Sequence, residues 1–370
     1  MNTDRIIIIS NPVPATNESS LLSLQKFVNV ISGVYEKEII LISGNIPEDR
    51  FSNDHVLRVI PLTRKRYANK IRSVLSFFWF QMKAGLAALR YIKKNDKVFF
   101  WIGDGMIFPF SVARMRRAEI FYYIYGNPEK ISCKGTSEKN TAKRIAGFAN
   151  HADWVCAENG SVFNEWGSTI TNQRRKTVHL YTEPQPISEC RDRIVGMLCR
   201  ISEGKYVMES IRAFETISET FPEWRLEIVG SGTLFHECEQ YIEQNGLTDR
   251  VKLYGWMDSQ EKWKVMRRWQ YLLFPTDTEG LPNTLLESMS LGIPPICSPV
   301  SSLTELVRDQ ATGFYIHENS VEGIASALGL ALSRTEDYDR FCERNVQMIE
   351  QEYTFQKAVE SARQELAYGN

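Results

Sequence analysis

FPTDTEGLPNTLLESMSLGIPPICSPVSSLTELVRDQATGFYI, running from Phe274 to Ile316, decides how the chain is read. Within it Glu279 and Glu287 stand eight positions apart, separated by the turn Gly280-Leu281-Pro282-Asn283, and Thr284 opens an apolar pattern of helical period. Tyr271-Leu-Leu-Phe274 is a short apolar run, which suits a strand buried on both faces of a parallel sheet. Glu279 is then expected on the loop beyond the strand's carboxyl end, where open α/β sheets take their ligands. Pro282 suits the first turn of the helix that follows, since a missing N–H costs little there. Glu287 falls about one turn in. A helix start offers backbone N–H groups and a positive pole to an anion. Two carboxylates beside it can accept hydrogen bonds from hydroxyl groups.

Working outward, the same alternation recurs. Ile194-Val-Gly-Met-Leu-Cys199 reads as a strand, followed by Arg200-Ile-Ser-Glu-Gly-Lys205 and an amphipathic helix to about residue 221. Trp224 to Val229 is a second strand before Gly230-Ser231-Gly232, a turn through which backbone could approach a phosphate. Arg250 to Trp256 is a third strand. Helical segments are expected at 320–333 and 336–350, with a last helix after Gln351-Glu-Tyr-Thr-Phe355. In the first half, Arg5–Ser10, Glu38–Ser43, Lys97–Ile102, Ile120–Tyr125 and Thr177–Tyr181 read as strands, with a helix over 18–33. Strands alternating with helices imply parallel sheets with right-handed crossovers. Thr182-Glu-Pro-Gln-Pro-Ile187, with two prolines and no period, reads as a hinge.

Bulk properties narrow the class. A chain of 370 residues is best divided into two domains, and 43% hydrophobic with 24% charged residues is ordinary for a globular protein. Seven cysteines form no CxxC pair, which fits free thiols in a reducing cytosol better than a disulfide framework. MNTDRIIIIS runs directly into a strand without the apolar region of a signal peptide, so a cytoplasmic location is expected. Residues 1–180 hold 26 Lys and Arg against 15 Asp and Glu, while the rest hold 18 against 30. Such a division suggests different partners for the two halves, or two lobes that attract each other. The basic side concentrates at 64–94, where Arg64-Lys-Arg66, Lys70 and Arg72 precede Val74-Leu-Ser-Phe-Phe-Trp-Phe80. That run is too short to span a bilayer. It fits a helix lying on an anionic membrane surface, or equally a sheet-covering helix with a solvated face.

With Gly292, Pro294, Thr304-Glu305-Leu and Thr312-Gly313-Phe behind it, the Glu279–Glu287 stretch resembles the signature of glycosyltransferase family 4. The resemblance covers nearly all of 190–370 by motif and 1–180 in outline. It implies an α/β chain of the GT-B fold, with two Rossmann-like parallel-sheet domains facing across a cleft. These would be an acceptor-side domain at 1–181, a linker at 182–193, a donor-binding domain at 194–350, and a helix at 351–370 crossing back. It implies transfer of a sugar from a nucleoside-diphosphate-sugar to a sugar, lipid-linked or glycolipid acceptor, with retention, in surface polysaccharide or glycolipid assembly. No cofactor beyond the donor, no metal and no nucleic-acid partner are expected.

The family's G-R-L-x-x-x-K-G is matched by Arg200 and Lys205, although Cys199 and Tyr206 stand in its glycine positions. An arginine fork and a lysine point charge would stabilise the negative charge on a departing diphosphate. The resemblance puts Glu279 near the sugar ring and Glu287 on the donor ribose. Gly230, Ser231, Gly232, Gly280, Leu281, Pro282, Asn283 and Thr284 fall around the phosphates, and Trp256 at the base. Asp277-Thr-Glu279 has the spacing of a metal-binding DxD, but the two cations already answer the phosphate charge. On the acceptor side, Tyr125, Gly126 and Asn127 occupy the place of the family's histidine. The loop 11–17 lacks the usual glycines, and Glu158-Asn159-Gly160 stands where a Ser-rich loop opens a helix. These departures keep a GT-B nucleotide-sugar epimerase and a catalytically degenerate scaffold as alternatives. With no GxGxxG after the first strand, a nicotinamide oxidoreductase is the weakest reading.

Overall fold

The computed structural model describes residues 5–11, 18–35, 37–46, 51, 57–65, 67, 69–101, 105–129, 139–187, 191–334 and 336–367. Most of the loop 11–17, Arg66, Gly103, Asp104, Cys133 and Cys190 therefore lie outside the described residues. The chain divides into two compact units, one running to Leu180 and resuming at Ala358, the other being Tyr181–Lys357. Each unit is a parallel sheet with helices, the Rossmann-like pair of the GT-B fold.

Among the described residues the first unit has seven parallel strands: β1 (Ile6–Ser10), β2 (Ile39–Gly44), β3 (Leu57–Leu62), β4 (Lys97–Trp101), β5 (Glu119–Tyr123), β6 (Trp154–Ala157) and β7 (Arg175–Thr177). They stand in the order β3-β2-β1-β4-β5-β6-β7. A run of four isoleucines makes β1 central, because β-branched residues fill both faces of a covered sheet. Ile6 to Ile9 are at most 1% exposed, and each such burial is worth about 2 kcal/mol. At the carboxyl edge the Ser10 and Ser43 hydroxyls meet at 2.5 Å, tying β1 to β2.

The helices of this unit are α1 (Glu18–Tyr35), α2 (Lys70–Tyr91), α3 (Ile107–Met115), α4 (Lys139–His151) and α5 (Gly160–Trp166). Asn69 opens α2 by accepting from the amides of Ile71 and Arg72. One stripe of α2, carrying Phe80, Ala84 and Ala88, is buried in the core. The outward face is also apolar: Ile71, Val74, Leu75, Phe78 and Trp79 recur at helical spacing and are all exposed. Phe108 of α3 meets Phe78 edge to face at 5.8 Å, and Ile107 and Met115 extend the exposed surface. The segment is thus a helix that buries one stripe in the core and exposes the other, and the exposed face is rich in apolar side chains.

Two expected strands shift. Ile120–Tyr125 ends at Tyr123, because Gly126 turns the chain at a φ of 59°. Thr177–Tyr181 is displaced toward the amino terminus as β7, whose partner β6 runs out at Ala157. Val178 donates to the Ala157 carbonyl at 3.0 Å, and the ladder stops. His179 is thereby off the strand. His151 ends α4, and Asn159 caps α5 by accepting from Val162 N at 3.1 Å.

In the second unit β8 (Ile194–Leu198), β9 (Arg225–Val229), β10 (Val251–Gly255), β11 (Tyr271–Phe274), β12 (Pro295–Cys297) and β13 (Phe314–Tyr315) stand in the order β10-β9-β8-β11-β12-β13. Strands add on one side of β8 up to β10 and then on the other side from β11. The switch point is therefore flanked by the carboxyl ends of β8 and β11. The helices are α6 (Val207–Ile217), shorter than expected, then α7 (Phe235–Gln244), α8 (Ser259–Met266), α9 (Asn283–Ser290), α10 (Leu303–Leu306), α11 (Val321–Ser333) and α12 (Tyr338–Met348). The last helix, α13 (Phe355–Ala367), packs in the first unit, where Arg363 donates to the Gly33 carbonyl at 2.8 Å.

Behind the sheet a buried carboxylate, Glu227 on β9, accepts from Arg268 at 2.9 Å, Trp269 Nε1 at 3.0 Å and Tyr254 OH at 3.0 Å. This fixes the Trp269 ring over Gly196 of β8, where a Cβ would come within 1.9 Å of a ring carbon. Gly196→Ala is expected to cost about 2–3 kcal/mol through overpacking. The check is a lower denaturant midpoint at an unchanged slope, and a variant as stable as the parent would refute this account of the glycine.

Candidate active site

The two loops flanking the switch point are joined by side chains from both. Lys205, on the loop after β8, donates to the Glu279 carboxylate and to Thr276 Oγ1 at 3.0 Å. Thr276 in turn donates to Glu279 Oε1 at 3.1 Å. The backbone of Thr276 is held on both sides: its amide donates to Ser298 Oγ at 2.9 Å, and its carbonyl accepts from Asn319 Nδ2 at 3.1 Å. Ser298 closes the ring by donating to Asn319 Oδ1 at 2.6 Å. The loops after β11, β12 and β13 are thus one hydrogen-bonded unit beneath Glu279. Thr276, Ser298 and Asn319 carry no spacing that would have marked them in the sequence.

Arg200 is exposed, and among the described residues its guanidinium has no hydrogen-bond or ion-pair partner. Its neighbours are held firmly. Cys199 N donates to the Val229 carbonyl at 3.1 Å, and Ile201 N to the Ser231 carbonyl at 3.0 Å. These bonds bring the glycine turn against the arginine loop: a Cβ on Gly230 would meet the Cys199 carbonyl at 1.9 Å, and one on Gly232 the Ile201 carbonyl at 2.1 Å. Gly230 also has a φ of 145°, which side chains rarely adopt. A contact inside the protein therefore accounts for both glycines, whereas the sequence argued for them through approach to a phosphate. Burial pushes the Cys199 thiol up to about 12, so it is not a nucleophile at neutral pH.

Tyr206 sits where the resemblance has glycine, and it adopts the left-handed conformation at φ 50° and ψ 37°. For a tyrosine this costs about 1–2 kcal/mol. Its hydroxyl donates to Asp277 on the loop after β11, and a bond to a charged acceptor contributes about 1.5–3 kcal/mol. The two effects are of one size, which lets tyrosine stand here. Burial, then the Asp277 carboxylate, pushes the phenol up to about 12, so it remains a donor at neutral pH.

Pro282 occupies the cap position of α9 in extended conformation, not the first turn, which begins at Asn283. Leu285 and Leu286 N–H groups reach back to its carbonyl at 3.1 and 3.2 Å. Leu281 and Pro282 are buried, Asn283 and Thr284 half-buried, and the Ser302 hydroxyl donates to the Gly280 carbonyl. Glu287 lies one turn into α9, and its side chain is 5% exposed. Lys262 of α8 donates to its Oε2 at 2.7 Å, a partner that the sequence did not announce. Trp256, just past β10, is 58% exposed. Ser231 is exposed on the neighbouring turn.

The acceptor-side candidates lie in the first unit. Trp166 Nε1 donates to the Gly126 carbonyl at 2.9 Å, and Asn127 Oδ1 accepts from the Glu129 amide at 2.9 Å. Tyr125 is half-buried at the carboxyl edge beyond β5. These contacts shape a turn beyond β5. Among the described residues no group of three or more His, Cys, Asp or Glu side chains is placed to hold a metal.

Residues 183–348 match the family model described as glycosyl transferases group 1. The lipopolysaccharide 1,6-galactosyltransferase of Salmonella typhimurium is 31% identical over 125 residues, 32% of this chain and 34% of that protein. A putative colanic acid biosynthesis glycosyltransferase of Escherichia coli is 29% identical over 35% of this chain and 34% of its own. The chain thus spans about a third of the length of these curated relatives. Among solved structures, Anabaena Alr3699/HepE in complex with UDP and glucose superposes with a TM-score of 0.76 at 15% identity, over 98% of this chain and 99% of that one. The lipopolysaccharide outer core galactosyltransferase WaaB does so with a TM-score of 0.71 at 17% identity, over 98% and 99%. The matched segment lies within the unit Tyr181–Lys357, which carries Arg200, Lys205, Glu279 and Glu287, and over that segment the chain is similar to the glycosyl transferases group 1 family.

Proposed function

We propose that the chain transfers a sugar from a nucleoside-diphosphate-sugar to an acceptor hydroxyl, with retention at the anomeric carbon and without a metal or other cofactor. The observation that carries this is the meeting of Lys205, Glu279 and Thr276 at the switch point, with Arg200 and Glu287 on the adjoining loop and helix. An ammonium has three N–H donors. Two of those on Lys205 are taken by Glu279 and Thr276, which leaves one, aimed by the others, for a phosphate oxygen. Arg200 adds a fork of donors without an internal partner to break. Together they stabilise charge as the glycosidic bond breaks toward the diphosphate, and the acceptor's proton passes to a donor phosphate oxygen on the same face. Glu279 accepts from sugar hydroxyls and Glu287 from the ribose. The metal-independent reading rests on these two cations. The UDP in the Anabaena structure makes uridine donors the first to try, and the curated relatives' names suggest a lipopolysaccharide- or polysaccharide-type glycan as product.

A lipid-linked acceptor fits the first unit. The outward face of α2 and α3 is apolar, neither helix carries an acidic residue, and exposed Lys65, Arg72, Lys83, Arg90, Arg114 and Arg116 lie on or beside it. From residue 57 to 118 there are fourteen Lys and Arg and two Asp, one of them the buried Asp96. Such a face seats its side chains at the boundary of headgroups and acyl chains, and each cation near an anionic surface adds about 1 kcal/mol. Among the described residues no helix is long and apolar enough to cross a membrane.

Two measurements test the reading. Glu279→Ala is expected to keep nucleoside-diphosphate binding and to lose about a hundredfold or more in turnover, with Arg200→Ala losing a similar factor. If the parent binds no nucleoside diphosphate, or Glu279→Ala turns over unimpaired, the transferase assignment is wrong. Released sugar without acceptor would favour the epimerase alternative. Separately, the parent is expected to co-sediment with phosphatidylglycerol vesicles at low salt, and Leu75→Glu with Trp79→Glu to stay in the supernatant. No binding by the parent would remove the membrane role.

A further inference from the structure

We propose that Lys262 is a positioning residue for the donor ribose, acting through Glu287. The proposal rests on the nucleotide-sugar reading of the site and adds to it a residue from a different helix. Glu287 is the only one of the two signature carboxylates to be almost wholly buried, at 5% side-chain exposure against 15% for Glu279. A carboxylate removed from water needs a counter-charge and hydrogen-bond donors. Among the described residues, Lys262 is the one donor to the Glu287 side chain, at 2.7 Å to Oε2. The other oxygen, Oε1, accepts from none of them. It is an acceptor with vacant lone pairs on a fixed side chain, which is what a ribose hydroxyl requires.

Lys262 is itself fixed. Asp258 caps α8 by accepting from the Gln260 and Glu261 amides at 2.8 and 2.9 Å, which sets the turn carrying residue 262. Its stem is buried to 15% exposure, and its ammonium lies 5.4 Å from the centre of the Trp263 ring. The loop leading into α8 carries Trp256, the proposed contact for the base. One short segment, 256–262, therefore presents an exposed aromatic at one end. At its other end is the cation that orients the ribose acceptor. Without that cation the carboxylate is free to rotate, which spoils Oε1 as an oriented acceptor.

The test is titration calorimetry on the full chain. UDP, GDP and ADP are screened on the parent, and the tightest is compared with its 2′-deoxy counterpart. The parent is expected to prefer the ribonucleotide by about tenfold or more, as a hydrogen bond to a charged acceptor gives. Lys262→Met should weaken the ribonucleotide and reduce the preference to about twofold or less. Lys262→Arg, which keeps charge and donors, should restore most of it. If Lys262→Met does not fold, Lys262→Gln is measured in its place. An unchanged preference in the charge-removing variant overturns the proposal, as does tighter ribonucleotide binding, which would make Lys262 a competitor of the ribose. Glu287→Gln separates the levels: if it too keeps the preference, the ribose assignment of Glu287 is what fails. A parent that binds no nucleoside diphosphate removes both.

Discussion

A lysine and a glutamate 74 residues apart meet because β8 and β11 are neighbours, with Val195 in register with Tyr271. That adjacency is the constraint from which the site follows. Had the chain continued adding strands beyond β10, the loops bearing Lys205 and Glu279 would end at opposite edges of the sheet. The reversal at β8 brings them together at the kind of switch point where open α/β sheets take their ligands. The pair is partly exposed, 23% on the lysine side and 15% on the glutamate side, so its net contribution to stability is small. Its effect is to fix geometry. Tyr206 and Asp277 bridge the same two loops a residue or two away, and a strained tyrosine backbone is held in place by that second link.

Three glutamates of the second unit lie buried or half-buried beside cations, and their hydrogen bonding distinguishes them. Glu227 accepts from Arg268, Trp269 and Tyr254 and uses both oxygens, so it is a saturated anchor behind the sheet. Glu279 shares one oxygen with Lys205 and Thr276, and Glu287 has Lys262 on one oxygen. A carboxylate that is buried yet left with acceptor capacity retains something to offer a ligand, whereas a saturated one does not. By this measure Glu279 and Glu287 keep acceptor capacity for a ligand and Glu227 does not, although all three have a basic partner.

How much of this was legible follows from the kind of signal each feature leaves. Tyr271–Phe274 was read to the residue because a fully apolar run bounded by turns has one solution in a covered sheet. Glu279, Glu287, Arg200 and Lys205 stood out through the family motifs they resemble, and the meeting of Lys205 with Glu279 is what the structure adds. Lys262 did not stand out: it is an ordinary helix lysine until the fold brings α8 beside α9. Gly230 and Gly232 were noticed as a turn through which backbone could approach a phosphate, and the close contact with Cys199 and Ile201 is a second constraint that the sequence did not reveal. The 64–94 segment announced its basic and aromatic content, but composition cannot say which helical face turns inward. Here Phe80 and Ala84 did, and the larger aromatic face was left outside. Strand β3, with Arg58 and Pro61 interrupting its apolar residues, gave no clear periodicity.

The charge division also takes a different meaning at the scale of the site. The second half carries 18 basic and 30 acidic residues, so its overall field repels a nucleotide anion. Screening limits that field to about 10 Å at moderate salt, and within such a radius the nearest charges decide. Arg200, Lys205 and Lys262 are the local exceptions, and two of the three are already bound to carboxylates that the ligand's hydroxyls would share. A cation so paired attracts a distant anion weakly and a correctly placed one well, because its remaining donors point in fixed directions. For the function proposed above, an acidic surround with a few tethered cations would favour a ligand carrying both phosphates and a polyol at set separation over phosphate alone.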